Sequence, residues 1–399
     1  MRVADQSVDA SSGQRMSIPT ELMTHSKRIP SVDGLRAVAV LGVIWAHIWS
    51  FYGTPSWTVG HIGSYAIDLN RALSMFGTGV DLFFVISGFC MYLLYAQKQN
   101  QLQWSTYVKF LQNRWLRIAP AFYVAIVIYS IGHVVRGDSF PWKDAISHAT
   151  FTATWLTNPG FINAPFWSLA TEAHFYLLLP VFIATMSRYG FWRVAFFAIV
   201  ANILIRCVFY LNIYQSQLNE VALVNITYQV PIRLVEFVWG MCVAKLFSDR
   251  IAPPEGLRGA KGFILGIAFA FCGRAMETRE VLLLVGAFSG IFQVLSVPTL
   301  SFGYALMLWT LVSDKSVFER ILCLGPVQAV GRWSYSMYLW HGGIYTAVGT
   351  IIMDRWGVSS LSLHVGFWFT LILLLPLSSI SYTLFEASYF RSRGRKKDS

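Results

Sequence analysis

Charge is scarce in this chain. Only 13% of its 399 residues are Asp, Glu, Lys or Arg, against 55% hydrophobic and 16% aromatic, and the mean hydropathy is +0.52. So little polar surface excludes an ordinary soluble domain of this length and leaves a polytopic membrane protein. Cysteine is sparse too: Cys90, Cys207, Cys242, Cys272 and Cys323 stand singly, with no metal-ligand or redox spacing, and read as packing residues. Internal repeats, low-complexity tracts and a second soluble domain are all lacking. Residues 1–29 have no apolar core, which excludes a signal peptide or a span and suggests a mobile cytoplasmic tail. Acidic residues are the rarer sign, 20 against 31 basic. The net +11 does not point to nucleic acid, because the basic excess follows the loops on one side of the membrane.

What is present is a series of apolar runs. With about twenty residues as the length of a span, they fall near 33–52, 76–96, 118–135, 166–186, 190–212, 228–247, 260–276, 294–312, 329–353 and 361–386. The stretch Val281 to Val297 is also apolar and reads as a re-entrant piece or an extra turn. The fold class expected is therefore all-α, a polytopic membrane protein with about ten transmembrane helices. An even number of spans puts both termini on one side. With that side inside, inner segments hold about 21 Lys and Arg and outer ones about 6, so both termini are expected to be cytoplasmic. Residues 30–390 form the membrane-embedded domain and 391–399 a basic cytoplasmic tail. The segment from Gln101 to Arg117 alternates apolar and basic residues at helical spacing and then runs into the third span, so it is expected to lie on the inner interface. The connection from Arg136 to Pro165 is the longest on the outer side, either a cover for an acceptor site or a plain connector.

Polar residues inside these runs carry the functional signal, because ionisable groups are costly in hydrocarbon. The first span reads DGLRAVAVLGVIWAHIWS, with Arg36 and His47 eleven residues apart. Eleven residues are almost three helical turns, so both side chains share one face, separated by about 16 Å. Counting residues along each span gives two layers. Arg36, Arg114, Arg117 and Arg332 fall near the inner face. His47, Glu172, Asp81 and His341 fall nearer the outer face, His47 about 10 Å below it in a core about 30 Å thick. Guanidinium groups suit a phosphate-bearing donor, and an imidazole with a carboxylate suits proton transfer. The combination points to group transfer from a cytoplasmic phosphorylated carrier to an acceptor further out.

The stretches DGLRAVAVLGVIWAH, GVDLFFVISGF, RWLRIAP, FWSLATEAHFYLLLP, PIRLVEFVWGM and GRWSYSMYLWH, in this order from about Ile29 to Phe390, resemble the acyltransferase 3 family of integral membrane O-acyltransferases. The resemblance implies transfer of an acyl group, usually acetyl from acetyl-CoA, to a sugar hydroxyl in the bacterial inner membrane. It also implies ten spans with both termini inside. Carried over, Arg36 and His47 are the essential pair and Glu172 the acidic catalytic position. Arg36, Arg114, Arg117 and Arg332 are expected to hold the phosphates of CoA, with Asp81 and His341 in support and no metal. The acceptor implied is a carbohydrate or glycolipid such as lipopolysaccharide or exopolysaccharide, with membrane lipid around it and no nucleic acid.

Plainer readings stand beside these. Arg36 alone could mark the membrane boundary by snorkelling, and His47 could be a satisfied interior histidine. Glu172 could neutralise a buried Arg233 or Arg206, and Asp81 could brace the start of its span. Ser87 lacks the strand and sharp turn of a nucleophile elbow, so Ser87 and Gly88 read as close helix packing. His174 points to another helix face than Glu172. The rival of another class is a transporter or flippase for glycans or amphiphiles, but no second copy of the first-span pattern occurs in the later half. Within the class, peptidoglycan, macrolides and lipids are alternative acceptors. The sequence leaves the oligomeric state open.

Overall fold

The computed structural model of the chain describes residues 29–62, 65–96, 104–156, 162–213 and 225–387. The expected tails and the first residues of the segment from Gln101 lie outside these. Among the described residues, ten helices are sixteen residues or longer: α1 (Pro30–Phe51), α2 (Gly79–Ala96), α3 (Trp104–Val135), α4 (Trp167–Tyr189), α5 (Phe191–Val208), α6 (Val230–Ser248), α7 (Ala260–Ala275), α8 (Ser289–Ser313), α9 (Gly325–Trp356) and α10 (Ser360–Ser381). Seven segments are long and apolar enough to cross a membrane unaided: Pro30–Phe51, Leu69–Leu94, Tyr107–Val135, Ala164–Tyr189, Phe191–Leu211, Val281–Ser313 and Ser360–Glu386. The chain is an all-α, multi-pass membrane protein.

The three remaining long helices fall short for separate reasons. α6 carries Arg233, Glu236 and Lys245. α7 has only 16 residues, about 24 Å of helix against a core of about 30 Å. α9 is rich in Gly, Ser and other polar residues. A short antiparallel hairpin, β1 (Thr58–Ile62) and β2 (Tyr65–Asp68), follows α1 and had no clear signal in the sequence.

Trp104 to Arg117 runs without a break into the third expected span, as the first part of α3, whose 32 residues extend about 48 Å. The apolar stretch after Arg279 is a short helix, Arg279–Val285, and a single 3-10 turn, after which α8 begins five residues earlier than the hydropathy suggested. The long connection after α3 also holds structure, with a helix at Trp142–Ala149 whose neighbour Phe151 packs on Phe122.

α1 organises the bundle because it is buried on two sides. Leu35 and Ala39 join a core built with α2, α4, α6 and α8, while Val40, Val43, Ile44 and Ile48 join another with α9 and α10. Backbones meet closely where glycine allows it. A Cβ on Gly331 of α9 would overlap the carbonyl of Asp33 in α1, and one on Gly240 of α6 would overlap the carbonyl of Val85 in α2. These approaches set the height of α9 against α1 and of α6 against α2, and with them the polar groups each helix carries.

Candidate active site

Arg36 is anchored within the helix bundle. Its Nη1 donates to Oδ1 of the buried Asp33 at 2.9 Å, and its Nη2 to Sγ of Cys90 at 3.5 Å. This fork turns the guanidinium into a cavity of about 110 Å³ between α1, α2, α3, α4 and α9, lined also by Ser87, Cys90, Arg114, Arg117, Glu172 and Tyr176. Arg114 lies over the rings of Phe110 and Tyr176, 5.6 and 5.9 Å from their centroids. Arg117 Nε stands 4.0 Å from Oε2 of Glu386. Glu386 is fully buried in a π-helical turn after α10, and its Oε1 accepts from Ser336 Oγ at 2.9 Å. Three guanidinium groups thus face one small space, with Asp33 and Glu386 fixing two of them from behind.

Glu172 belongs to this cavity and is not hydrogen-bonded to His47. Its Oε1 accepts from Ser87 Oγ at 2.7 Å and from Tyr176 OH at 2.5 Å. Nor does it neutralise Arg233 or Arg206. Arg233 Nη1 donates to Asp81 at 2.7 Å and to Glu236 at 2.8 Å. Arg206 donates to the carbonyls of Val294 and Gln293 at 2.8 and 2.7 Å. Asp81 therefore braces α2 against α6, outside the cavity lining. Arg332 is half-buried near the start of α9 and also lies outside it. Gly88 packs on the backbone of Phe237 as expected of close helix contact, whereas Ser87 does more than pack.

His47 meets His341. Nδ1 of His47 is 2.8 Å from Nε2 of His341, and Nδ1 of His341 is 2.8 Å from the carbonyl oxygen of Tyr338. His341 is fully buried; His47 is half-buried, with Tyr345 6.3 Å away between ring centroids. Phe83 and Tyr338, edge to face at 6.1 Å, both line the cavity, and the Tyr338 ring also lies 5.7 Å from that of His341. Tyr338 is held by Ser168 Oγ at 2.7 Å and by donation to the carbonyl of Pro165 at 2.8 Å. Tyr338 thus links the arginine-lined chamber with the imidazole pair.

Sequence reasoning passed over Tyr176, Tyr338 and Glu386, and took Cys90, which accepts from Arg36, for a packing residue. Tyr176 was within reach, since it sits four residues from Glu172 and so on the same helix face. Glu386 gave no local signal, because its partner Arg117 is distant in sequence. Among the described residues, no group of three or more His, Cys, Asp and Glu could hold a metal ion.

A family profile described as an acyltransferase domain matches residues 29–383. The chain belongs to the acyltransferase 3 family of integral membrane O-acyltransferases. It is similar to the O-acetyltransferase OatA of Staphylococcus aureus (strain NCTC 8325 / PS 47), 24% identical over 395 residues that cover 94% of this chain and 59% of that protein. It is also similar to the peptidoglycan O-acetyltransferase OatA of Listeria monocytogenes, 25% identical over 354 residues, 82% of this chain and 51% of the relative. The chain thus spans little more than half the length of these curated relatives. No solved structure matches it.

Proposed function

We propose that this protein is an inner-membrane O-acyltransferase that moves an acyl group, acetyl in the first instance, from acyl-CoA to a hydroxyl of a cell-envelope carbohydrate. The observation that carries the reading is the convergence of Arg36, Arg114 and Arg117 on one cavity while the same helix that holds Arg36 presents His47 to His341, whose ring neighbours the cavity-lining Tyr338. The names of the relatives support an acetyl group and make peptidoglycan the first acceptor to try.

In this reading all ten long helices span the membrane, both termini are cytoplasmic, and the N-terminal end of α1 faces the cytoplasm. The cavity is too small for a whole CoA, so the arginines draw the phosphates to its mouth by charge-assisted hydrogen bonds, and the pantetheine arm reaches inward along α1. Its acyl end passes between Phe83 and Tyr338 by side-chain rotation. His47 then removes the proton of the acceptor hydroxyl as that oxygen attacks the thioester carbonyl. The C–S bond breaks, and CoA leaves as the thiolate that the proton finally neutralises. Glu172, held by Ser87 and Tyr176, balances the guanidinium charge and orders the cavity around the arm.

A positioned general base contributes about 10² to 10⁴ in rate. The test is release of free CoA by purified protein given acetyl-CoA and a cell-envelope glycan extract. Acceptor-dependent release in the wild type that disappears in both His47→Ala and Arg36→Ala supports the reading. No release with any acyl-CoA or glycan, from folded protein, favours a transport pathway instead.

A further inference from the structure

We infer that His341 is a positioning residue that fixes the tautomer of His47: His341 carries its proton on Nδ1, His47 carries its proton on Nδ1, and Nε2 of His47 is left as the bare nitrogen that takes the acceptor's proton. The inference rests on the reading of His47 as the base and adds which nitrogen acts and what selects it.

The chain of donors begins at a group with no choice. A backbone carbonyl can only accept, so the contact from Tyr338 O to His341 Nδ1 at 2.8 Å requires a hydrogen on that nitrogen. A second proton on Nε2 would make His341 a cation. It is fully buried, and its neighbours are the rings of Tyr338, Tyr345 and His47, with no carboxylate hydrogen-bonded to it. A charge in such a place is costly unless paired. His341 is therefore neutral, and its Nε2 holds a lone pair.

Nδ1 of His47 faces that lone pair at 2.8 Å. Two lone pairs at this distance repel, so His47 Nδ1 bears the hydrogen and donates it. The ring geometry agrees: the planes are within 5° and the centroids are 5.1 Å apart while the facing nitrogens are far closer. The imidazoles meet edge to edge, as an in-plane N–H to lone-pair bond requires, and do not stack face to face.

The consequence is chemical. A neutral histidine has one proton, so His47 with hydrogen on Nδ1 keeps Nε2 unprotonated and aimed away from His341. When Nε2 receives the proton from the attacking hydroxyl, the Nδ1–H to His341 bond becomes charge-assisted and strengthens. His341 thus selects the basic nitrogen beforehand and supports the cation that forms. An unrestrained imidazole would divide between two tautomers and turn its lone pair elsewhere.

The test uses the full-length protein in detergent with ¹⁵N-labelled histidine. Ring-nitrogen signals of His47 and His341 are assigned by their disappearance in His47→Gln and His341→Gln, in buffer alkaline enough to keep both rings neutral. The inference expects the proton of each ring on Nδ1. Kinetically, His341→Leu lowers kcat by about 10² or more with KM for acetyl-CoA unchanged. His341→Gln, whose amide can still accept from His47 and donate to Tyr338, regains a large part of that loss. A wild-type spectrum with the His47 proton on Nε2 overturns the inference whatever the turnover, and so does wild-type kcat in His341→Leu. Transfer that survives His47→Ala defeats the base reading, and with it the catalytic part of His341, while the proton pattern is judged by the spectrum alone.

Discussion

Arg36 shows how much one residue's surroundings decide. Its guanidinium grips Asp33 and Cys90 with two different nitrogens, a fork that a lysine's single ammonium cannot reproduce. Arg36→Lys is therefore expected to raise KM for acetyl-CoA and to change kcat less, a split read from initial rates. Cys90 offers a reporter of the same space, since its half-buried thiol lines the cavity. Acetyl-CoA should slow alkylation of Cys90, and the protection should weaken in Arg114→Ala. Alkylation rates indifferent to acetyl-CoA would place the donor elsewhere. At this scale the sequence told a good deal about Arg36 and His47, because a cation and an imidazole in one apolar run have few ordinary explanations. It said less about Glu172 and Asp81. Counting residues along a span yields depth but not direction around the helix, so three groups assigned one height turned out to serve three places: His341 beside His47, Glu172 in the cavity, and Asp81 on Arg233.

At the scale of elements, the site depends on how closely helices approach. Gly331 lies on the backbone of α1 at Asp33, three residues before Arg36 and on the helix that carries His341. Gly331→Ala forces α9 away from α1 and is expected to lower kcat through the His47–His341 contact as well as thermal stability. Gly240→Leu, at the crossing of α6 with α2, should cost about 1 to 3 kcal/mol or more as overpacking. That loss is visible as a lower unfolding temperature in detergent. Should Gly240→Leu unfold at the wild-type temperature, the close crossing is wrong. Helix positions were legible from hydropathy, since each expected span coincides with a long helix. Boundaries were less so: α3 continues through an amphipathic stretch because nothing in it breaks a helix, and the β1–β2 hairpin contains too few residues to leave a period-two pattern. Helix partners were not legible: Gly88 read as a close-packing residue, but nothing in the sequence named α6 as the helix it meets.

For the whole molecule, the account requires a donor chamber open to the cytoplasm and an acceptor side facing out. A reporter active only in the cytoplasm should work when fused to either terminus, and one active only outside should be silent at both; opposite behaviour of the two ends would break the ten-span topology. The central claim is acyl transfer from CoA to a glycan with His47 as base, and following the acyl group itself tests it most directly. Membranes from cells making the protein are given acetyl-CoA labelled in the acetyl group, and base-labile acetate is counted on the carbohydrate fraction. The account predicts label on glycan with wild-type protein and none above background with His47→Ala or Arg36→Ala made at equal level. Equal label from His47→Ala, or none from folded wild-type protein, would contradict it.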